Sequence, residues 1–289
     1  MTWWAVDVQT APERRGAVCT WLVARTGHAV EERDDGVMVA FAADESTAVR
    51  LAAEVGAETG AAGASWRALD VVDWSTRWRE GLGVRQIGRL TVSPSWLAAA
   101  ASAPSARGLN GERPLVVIDP ESAFGSGEHG STRSALALLD RHLDPGARVL
   151  DLGSGSGILA IASAVLGAAS AIGIDCDPDA NEVAERNAAR NGVAGRTRFV
   201  EGDAGDLAPL LGPADLIVAN ILRTANVALL PAVSAALAPG GSPRAGLAIF
   251  AGMEACEAEL FRPALAERGF RAEAEVTDAG WWAVAARLA

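Results

Sequence analysis

The second half of the chain alternates between short apolar runs and stretches with helical periodicity. Hydrophobic runs without polar alternation are typical of strands that are buried on both faces of a parallel sheet. The segments between the runs predict helices, and two final runs predict a C-terminal hairpin. This pattern indicates a doubly wound α/β domain. The predicted strands are residues 148–152, 171–175, 197–201, 215–220, 247–251, 271–277 and 281–288.

The first quarter of the chain has a different pattern. Four predicted strands and two predicted helices follow one another in the order β-α-β-β-α-β, which is that of a ferredoxin-like α+β domain. We expect a capping box at Thr10 and Glu13 to open the first helix. Asp34-Asp35-Gly36 predicts a hairpin turn between the second and third strands. The predicted strands are residues 3–9, 28–33, 37–42 and 64–72, and the predicted helices are residues 10–26 and 45–58.

A change in composition separates these two parts. Residues 98–113 are rich in Ala, Ser, Pro and Gly, which predicts a flexible segment, and residues 90–92 predict a short strand before it. We therefore expect an N-terminal α+β domain over residues 1–72, a linker over 73–113 and a larger α/β domain over 114–289.

Composition limits the function classes. Half of the 289 residues are hydrophobic and 21% are charged, which is typical of a globular protein. The formal net charge of −11 argues against a large nucleic-acid interface and is compatible with a small molecule or a basic protein partner. The sequence contains no lysine and no tyrosine, which excludes a phosphate-loop lysine and a tyrosine acid. Its three cysteines are scattered, so we expect neither a disulfide framework nor a metal site.

One uncharged stretch, residues 157–174, has the length of a membrane span. It is rich in Ala and Ser, is interrupted by Gly167 and is bounded by Asp151 and Asp175. A buried helix followed by a buried strand explains it better. We see no signal peptide and expect a cytoplasmic protein without membrane contact.

Three glycines at alternating positions follow the first strand of the α/β domain. A glycine turn between a strand and a helix lets a ligand approach the backbone closely. A carboxylate just before the turn would repel the pyrophosphate of a dinucleotide and would suit a cationic ligand. S-adenosylmethionine carries a sulfonium and an ammonium group and no phosphate, so the pattern favours this methyl donor over NAD. The candidate cofactor-binding residues here are Asp151, Gly153, Gly155 and Gly157.

Polar residues also end the next three strands. Ligands bind beyond the carboxyl ends of the strands in such sheets. Asp175 is therefore expected to accept hydrogen bonds from ribose hydroxyls, and Asp203 from an adenine amino group. Asn220 ends the fourth strand. Each residue also has a local explanation, as a turn, cap or backbone-binding residue, and it is their combination that indicates a nucleoside ligand.

The segment from Asp119 to Thr132 precedes the first strand of the α/β domain. Its small residues predict a loop that folds over a ligand and enters a helix near Thr132. The alternative is a surface loop rich in Gly and Ser.

With these motifs the chain resembles the bacterial ribosomal protein methyltransferases of the PrmA type. The resemblance implies a class I S-adenosylmethionine-dependent methyltransferase (Rossmann-like) domain, and a ferredoxin-like domain that recognises the ribosomal protein. Two positions depart from the family pattern, Glu121 where Gly is usual and Ser126 where Thr is usual. The resemblance rests on residues 123–132, 151–162, 173–178, 187–192 and 219–222.

The resemblance also implies roles for individual residues. Thr132, Gly153, Asp175 and Asn220 would contact the methyl donor, and Phe124 with its loop would close over it. Asn220 is the candidate catalytic residue, which would orient the donor or the substrate amine through its side-chain oxygen and transfer no proton. No histidine stands out as a base, and solvent can take the proton.

The function predicted from the sequence is an S-adenosylmethionine-dependent N-methyltransferase. Its expected substrate is an amino group of a large-subunit ribosomal protein, free or on the large subunit, with no direct nucleic-acid specificity. The alternatives are a methyltransferase for another protein or a small amine, and a binding module that holds the donor without turnover. A dehydrogenase is opposed by Asp151.

Overall fold

The computed structural model describes residues 3–26, 30–33, 36–68, 79, 81–101, 113–239 and 246–288. The chain divides into two compact units, Met1–Arg77 and Trp78–Ala289. Among the described residues, the first unit contains one sheet and the second contains two, and each unit has its own hydrophobic core.

The first unit has an antiparallel sheet with two helices. Its strand order is β2-β3-β1-β4, and the two helices follow β1 and β3, which confirms the predicted ferredoxin-like order. The core lies between the sheet and the helices and includes Val6, Leu22 and Leu51. The elements are β1 Trp4–Gln9, β2 Glu31–Glu32, β3 Val37–Ala42 and β4 Gly63–Ala68, with helices Arg15–Thr26 and Glu45–Thr59.

The prediction of a capping box at the start of the first helix is wrong. Within the described part of the chain the hydroxyl of Thr10 is buried and has no hydrogen-bond partner, and Ala11 precedes the short 3-10 turn Pro12–Arg14 that leads into the helix. Proline suits this place because its φ is already helical and its missing N–H would have had no helical partner. Residues 28, 29, 34, 35 and 69–72 of the predicted strands and turn lie outside the described residues.

The second unit has a seven-stranded sheet in the order β10-β9-β8-β11-β12-β14-β13. The first five strands are parallel, and β14 is antiparallel to both of its neighbours. The predicted strands and the C-terminal hairpin are confirmed. The elements are β8 Arg148–Leu152, β9 Ser170–Asp175, β10 Thr197–Glu201, β11 Leu216–Asn220, β12 Leu247–Glu254, β13 Phe270–Asp278 and β14 Trp281–Leu288, with helices Gly130–His142, Ile158–Val165, Pro178–Arg190, Ala204–Leu211, Arg223–Ala236 and Ala258–Glu267.

Hydrophobic clusters cover both faces of this sheet, as the unbroken apolar runs predict. The strand order reverses between β8 and β11, because β8 is followed in sequence by β9 on one side while β11 lies on the other. A crevice at the carboxyl ends of the strands is expected at such a switch point.

A smaller three-stranded sheet precedes the large one. It consists of β5 Arg85–Ile87, β6 Leu90–Ser93 and β7 Leu115–Val117, in which β6 pairs antiparallel with β5 and parallel with β7. The strand predicted at residues 90–92 is therefore present as β6. Of the segment predicted to be flexible, Ala98–Ala101 form one helical turn and residues 102–112 lie outside the described residues.

The uncharged stretch at residues 157–174 does not form one long helix. It divides into the helix Ile158–Val165 and most of β9, as the sequence predicts. Over the described ranges, none of the helices combines the length and the apolar character that crossing a membrane requires.

Candidate active site

The glycine turn after β8 brings the backbone to the edge of the sheet. Gly153 and Gly155 have φ of +73° and +51°, where a side chain is strained. A Cβ on Gly153 would lie 2.5 Å from Cγ2 of Ile221, and one on Gly155 would lie 2.5 Å from the carbonyl oxygen of Phe124. Both positions therefore require glycine.

Gly157, another predicted cofactor-binding residue, also has a role in packing. A Cβ there would lie 2.8 Å from Cζ of Phe199 and 2.9 Å from Cβ of Ala184. Its missing side chain lets the start of the helix Ile158–Val165 pack against β10 and the following helix. The structure places it in the packing beneath the turn, and it does not line the cavity described below.

Asp175, at the end of β9, is fixed to the glycine turn. Its Oδ2 accepts the N–H of Gly155 at 2.8 Å, and its Oδ1 accepts the N–H of Asp177 at 3.1 Å. The carboxylate is therefore held in one orientation, with lone pairs left for a ligand.

A cavity of about 390 Å³ opens beside this carboxylate, which is within the size range of small-molecule sites. It brings together three of the predicted residues, Gly153, Asp175 and Asp203, and its other lining residues are mostly apolar. Among the described residues no basic side chain lines it, so it suits a nucleoside better than a phosphate. The remaining lining residues are Ile174, Cys176, Gly202, Ala204, Gly205, Ile221, Ala225, Ala228 and Leu229.

Asp203 follows β10 and lines the cavity on the side of that strand. It caps the helix Ala204–Leu211, and its Oδ1 accepts the N–H of Gly205 at 2.6 Å. The local explanation, as a helix cap, and the predicted one, as a ligand contact, both fit this position.

Thr132 and Asn220 are 88 residues apart in sequence and meet in the structure. Nδ2 of Asn220 donates to the hydroxyl of Thr132 at 3.2 Å. Oδ1 of Asn220 is buried and has no protein partner within the described part of the chain. A buried acceptor without a partner costs free energy, so this oxygen marks a place for a ligand donor.

The loop before the helix Gly130–His142 is pinned to the glycine turn. The carbonyl oxygen of Phe124 accepts the N–H of Ser156 at 2.8 Å, and that of Gly125 accepts the Ser156 hydroxyl at 2.6 Å. The side chain of Phe124 is 56% exposed. The loop therefore holds an exposed aromatic ring next to the turn.

An aromatic cluster continues from Phe124. The ring of His129 lies edge-on to Phe124 at 5.4 Å and packs on Trp281 at 4.3 Å. Burial, with the nearby Arg133, lowers the pKa of His129, which favours the neutral form of the ring. Nδ1 of His129 lies 2.7 Å from the hydroxyl of Ser131. Trp281 was missed by the sequence reasoning, because only the return of the β13–β14 hairpin places it here.

Asp151, which was predicted to lie beside the ligand, is not among the residues that line this cavity. The residue is fully buried, and its Oδ2 accepts the N–H of Ala160 at 3.0 Å. Its Oδ1 has no partner within the described residues. Burial raises the pKa of Asp151 to about 7. The carboxyl group holds the start of the helix Ile158–Val165 under the glycine turn.

Two buried asparagines that the sequence reasoning did not assign to the site hold its backbone. Nδ2 of Asn187 donates to the carbonyl oxygens of Asp119 at 3.1 Å and Ser156 at 3.0 Å, which joins the loop to the glycine turn. Nδ2 of Asn226 donates to the carbonyl oxygens of Ile221 and Ala251. Asparagine is unfavourable inside helices, and its presence at two interior positions is the signal that could have found them.

The two departures from the family pattern have local explanations. Glu121 has φ of +52°, a conformation that favours glycine, and its carboxylate pairs with Arg186 at 2.7 Å. The hydroxyl of Ser126 accepts the N–H of Glu128 at 3.2 Å. Serine therefore retains the hydroxyl that threonine would supply.

The comparisons with known proteins agree with this geometry. A family model described as "Ribosomal protein L11 methyltransferase (PrmA)" matches residues 4–289. The ribosomal protein L11 methyltransferase of Thermus thermophilus is 42% identical over 216 residues, which cover 75% of this chain and 78% of the relative. That of Deinococcus radiodurans is 35% identical over 275 residues and 92% of each chain.

A solved structure is also similar. The crystal structure of ribosomal protein L11 methylase from Lactobacillus delbrueckii subsp. bulgaricus has 29% identity and a TM-score of 0.60, and it covers 71% of this chain and 98% of that chain. The predicted class I methyltransferase fold, the class of enzyme and its cofactor S-adenosylmethionine are confirmed. The chain belongs to the ribosomal protein L11 methyltransferase (PrmA) family.

Proposed function

We propose that this protein transfers methyl groups from S-adenosylmethionine to amino groups of ribosomal protein L11, the protein for which its relatives are named. The observation that carries the proposal is the cavity at the carboxyl edge of β8, β9 and β10, next to the contact between Asn220, which ends β11, and Thr132 of the helix Gly130–His142. Ile221 connects the two, because it lines the cavity and directly follows Asn220.

The cavity fits the nucleoside part of the donor. Asp175 would accept hydrogen bonds from the ribose hydroxyls, and Asp203 would accept one from the adenine amino group. The apolar lining, such as Ile174 and Leu229, would contact the adenine ring. This division of polar and apolar groups supports a bound nucleoside without phosphate.

The methionine part of the donor would lie toward Gly153 and Asn220. The partnerless Oδ1 of Asn220 would accept from an ammonium group of the donor or from the substrate amine. Phe124 would close over the donor from its loop. We assign Asp151, Gly155 and Gly157 to positioning, because their backbone and side-chain contacts shape the turn.

The donor supplies a methyl group on a positively charged sulfur, which leaves as a neutral thioether. The amine must attack the methyl carbon in line with the carbon–sulfur bond, so alignment and exclusion of water are the main tasks of the chain. The protonated amine must first lose a proton to solvent, which frees the lone pair that attacks, and Asn220 would orient the amine without taking that proton. Methyl transfer to the neutral amine makes it cationic, and the ring of Trp281, which packs on His129, would be a favourable aromatic contact for that charge.

The proposed substrate and compartment also agree with the overall charge. A formal charge of −11 supports a basic protein partner and gives no support to direct nucleic-acid specificity. We place the reaction in the cytoplasm. We propose that residues 1–72 recognise the substrate, that residues 73–113 link the domains and that residues 114–289 perform the chemistry.

The test is methyl transfer from labelled donor to undermethylated ribosomes, with mass spectrometry of the labelled protein. We expect the label in L11, and we expect Asn220→Ala to reduce the transfer much more than it reduces donor binding measured by calorimetry. If the label appeared in another protein, the proposed substrate would be wrong. If the wild-type protein bound no donor, the proposed site would be wrong.

A further inference from the structure

Three segments of the second unit meet at the C-terminal end of the loop that carries Phe124. The first is the segment from Gly83 to Arg85, the second is the loop itself, and the third is the turn of the β13–β14 hairpin. A Cβ on Gly130 would lie 2.5 Å from the carbonyl oxygen of Asp278 and 2.9 Å from Trp281, so the segments approach without spare space.

Glu128 makes the connection to the first segment with both of its carboxylate oxygens. Oε1 accepts the N–H of Gly83 at 2.8 Å, and Oε2 accepts Nε of Arg85 at 2.7 Å. The second Arg85 nitrogen, Nη2, lies 2.5 Å from Oε2. The pairing raises the pKa of Arg85. The carboxylate is one-fifth exposed, so solvent screens this pair less than an open surface pair.

The backbone of Glu128 is also held. Its carbonyl oxygen accepts Nη1 of Arg133, whose Nε donates to Asp278 at 2.5 Å. Its N–H donates to the hydroxyl of Ser126 inside the loop. Glu128 therefore has backbone and side-chain contacts to all three segments, directly or through Arg133.

The other end of the same loop reaches the donor site. Phe124 and Gly125 accept hydrogen bonds from Ser156, and the neighbouring Gly155 donates to Asp175. A short path of bonded groups thus connects Glu128 with the carboxylate that lines the cavity.

Asp140 offers an internal comparison. It lies near the end of the helix Gly130–His142, whereas Glu128 lies just before its start, and it also binds the β5–β6 hairpin. Its Oδ2 accepts the N–H of Arg89 at 2.9 Å, and its Oδ1 accepts Nε of Arg89 at 2.9 Å. Both acids thus accept one backbone N–H and one arginine, but only Glu128 adjoins the loop.

We propose that Glu128 is a positioning residue that anchors the loop of Phe124 over the glycine turn and thereby sets the affinity for the methyl donor. The inference rests on the proposed donor site. Glu128 lies outside the cavity, and it would affect the reaction through the loop of Phe124.

The test compares Glu128→Ala, Glu128→Gln and Asp140→Ala in the full-length protein. S-adenosylmethionine binding is measured by calorimetry, kcat and KM for the donor by methyl transfer, and stability by thermal unfolding. We expect Glu128→Ala to raise the Kd and KM for the donor by about tenfold, since small displacements of positioning groups have effects of this size or larger. Glu128→Gln should be intermediate, because its amide oxygen can still accept the N–H of Gly83.

Asp140→Ala is the matched control. It removes the same kinds of bonds from the same hairpin, and we expect it to lower the Tm while leaving the donor Kd unchanged. An unchanged Kd in both Glu128 variants, or an equal rise in Asp140→Ala, would overturn the inference. Wild-type protein that binds no donor would instead overturn the proposed site itself. If Glu128→Ala does not fold, Glu128→Gln decides.

Discussion

Both units carry exposed acid–arginine pairs, but the second unit also gathers acidic residues at one cavity. In the second unit, residues that end neighbouring strands gather at one edge of the sheet, where Asp175 and Asp203 line one cavity. In the first unit, acidic residues pair with arginines at the surface, as Glu32 does with Arg15 and Glu58 with Arg25. Exposed pairs of this kind contribute little to stability.

The difference follows from strand direction. The carboxyl ends of parallel strands meet at the same edge, so residues that are far apart in sequence converge after β8, β9, β10 and β11. In the antiparallel sheet of the first unit, neighbouring strands end at opposite edges, so the residues that follow two adjacent strands lie apart. A parallel sheet can therefore gather several polar side chains at one edge, where they can form a binding site. The four-stranded antiparallel sheet does not gather them in this way.

The largest effect should come from adding a methyl group to the glycine turn. In Gly155→Ala, the Cβ would lie 2.5 Å from the backbone oxygen of Phe124, in a residue with φ of +51°. Because the backbone cannot move aside easily, we expect a loss of about 3 kcal/mol in the free energy of unfolding and loss of donor binding. Chemical unfolding and calorimetry measure the two.

Gly60→Ala is the counterpart in the first unit. Gly60 ends the helix Glu45–Thr59 with φ of +70°, and its Cβ would meet the end of the long Arg14 side chain, which can rotate away more easily than backbone can. We expect a loss of about 1 kcal/mol and unchanged donor binding. If Gly155→Ala were as mild as Gly60→Ala, the close contact of the turn and the loop would be wrong.

The next effect concerns the carboxylate at the cavity. Asp175→Ala removes the proposed ribose acceptor and the partner of the Gly155 N–H. Hydrogen bonds to a charged group contribute about 2 kcal/mol, so we expect donor binding to weaken about thirtyfold by calorimetry.

Asp177→Ala is the matched control, because Asp177 is a neighbouring carboxylate that caps the helix Pro178–Arg190 and accepts the N–H of Asp179 at 2.9 Å. We expect it to lower stability by about 1 kcal/mol without changing the donor Kd. If donor binding weakened equally in both variants, negative charge near the turn would matter, and the position of Asp175 at the cavity would not.

The sequence predicts those parts of the site that depend on strand ends. Gly153, Asp175 and Asp203 follow apolar runs at regular spacing, and a parallel sheet brings such positions together by its topology alone. Asn220 was also predicted from its place at a strand end, whereas a donor contact of Thr132 was implied only by the family resemblance; the structure brings the two into contact.

The sequence does not predict what depends on packing between distant elements. Trp281 reaches His129 only because the last hairpin inserts β14 beside β12. The burial of Asp151 depends on the helix that closes over the turn. The capping box at Thr10 failed for a local reason, since Pro12 already supplies the helix start.

The smallest expected effect concerns pH, and it compares Asp151 of the second unit with Asp44 of the first. Both accept a backbone N–H at the start of a helix, from Ala160 and Thr47 respectively. Hydrogen bonds from Ser46 and then Thr47 lower the pKa of the exposed Asp44, whereas burial raises the pKa of Asp151 to about 7. The same kind of contact therefore has opposite effects on how the free energy of unfolding depends on pH.

The lowered pKa of Asp44 stabilises the fold above its unfolded value of 3.8, and this contribution is lost only as the pH falls below that value. Asp151 ionises in the unfolded chain near 3.8 but keeps its proton in the folded chain up to about 7. Between these values the folded state binds more protons, so stability falls as the pH rises.

Asp151→Asn replaces the carboxyl group with a neutral group of similar shape and should remove this dependence. Between about pH 6 and pH 7, we expect the unfolding free energy of the wild type to fall by about 1 kcal/mol relative to the variant. Asp44→Asn should keep a constant difference from the wild type over the same range. If wild type and Asp151→Asn instead lose stability in parallel, the carboxyl group of Asp151 is already ionised at pH 6. The helix start under the glycine turn would then hold a charge, and the turn would present a negative potential to the cationic donor.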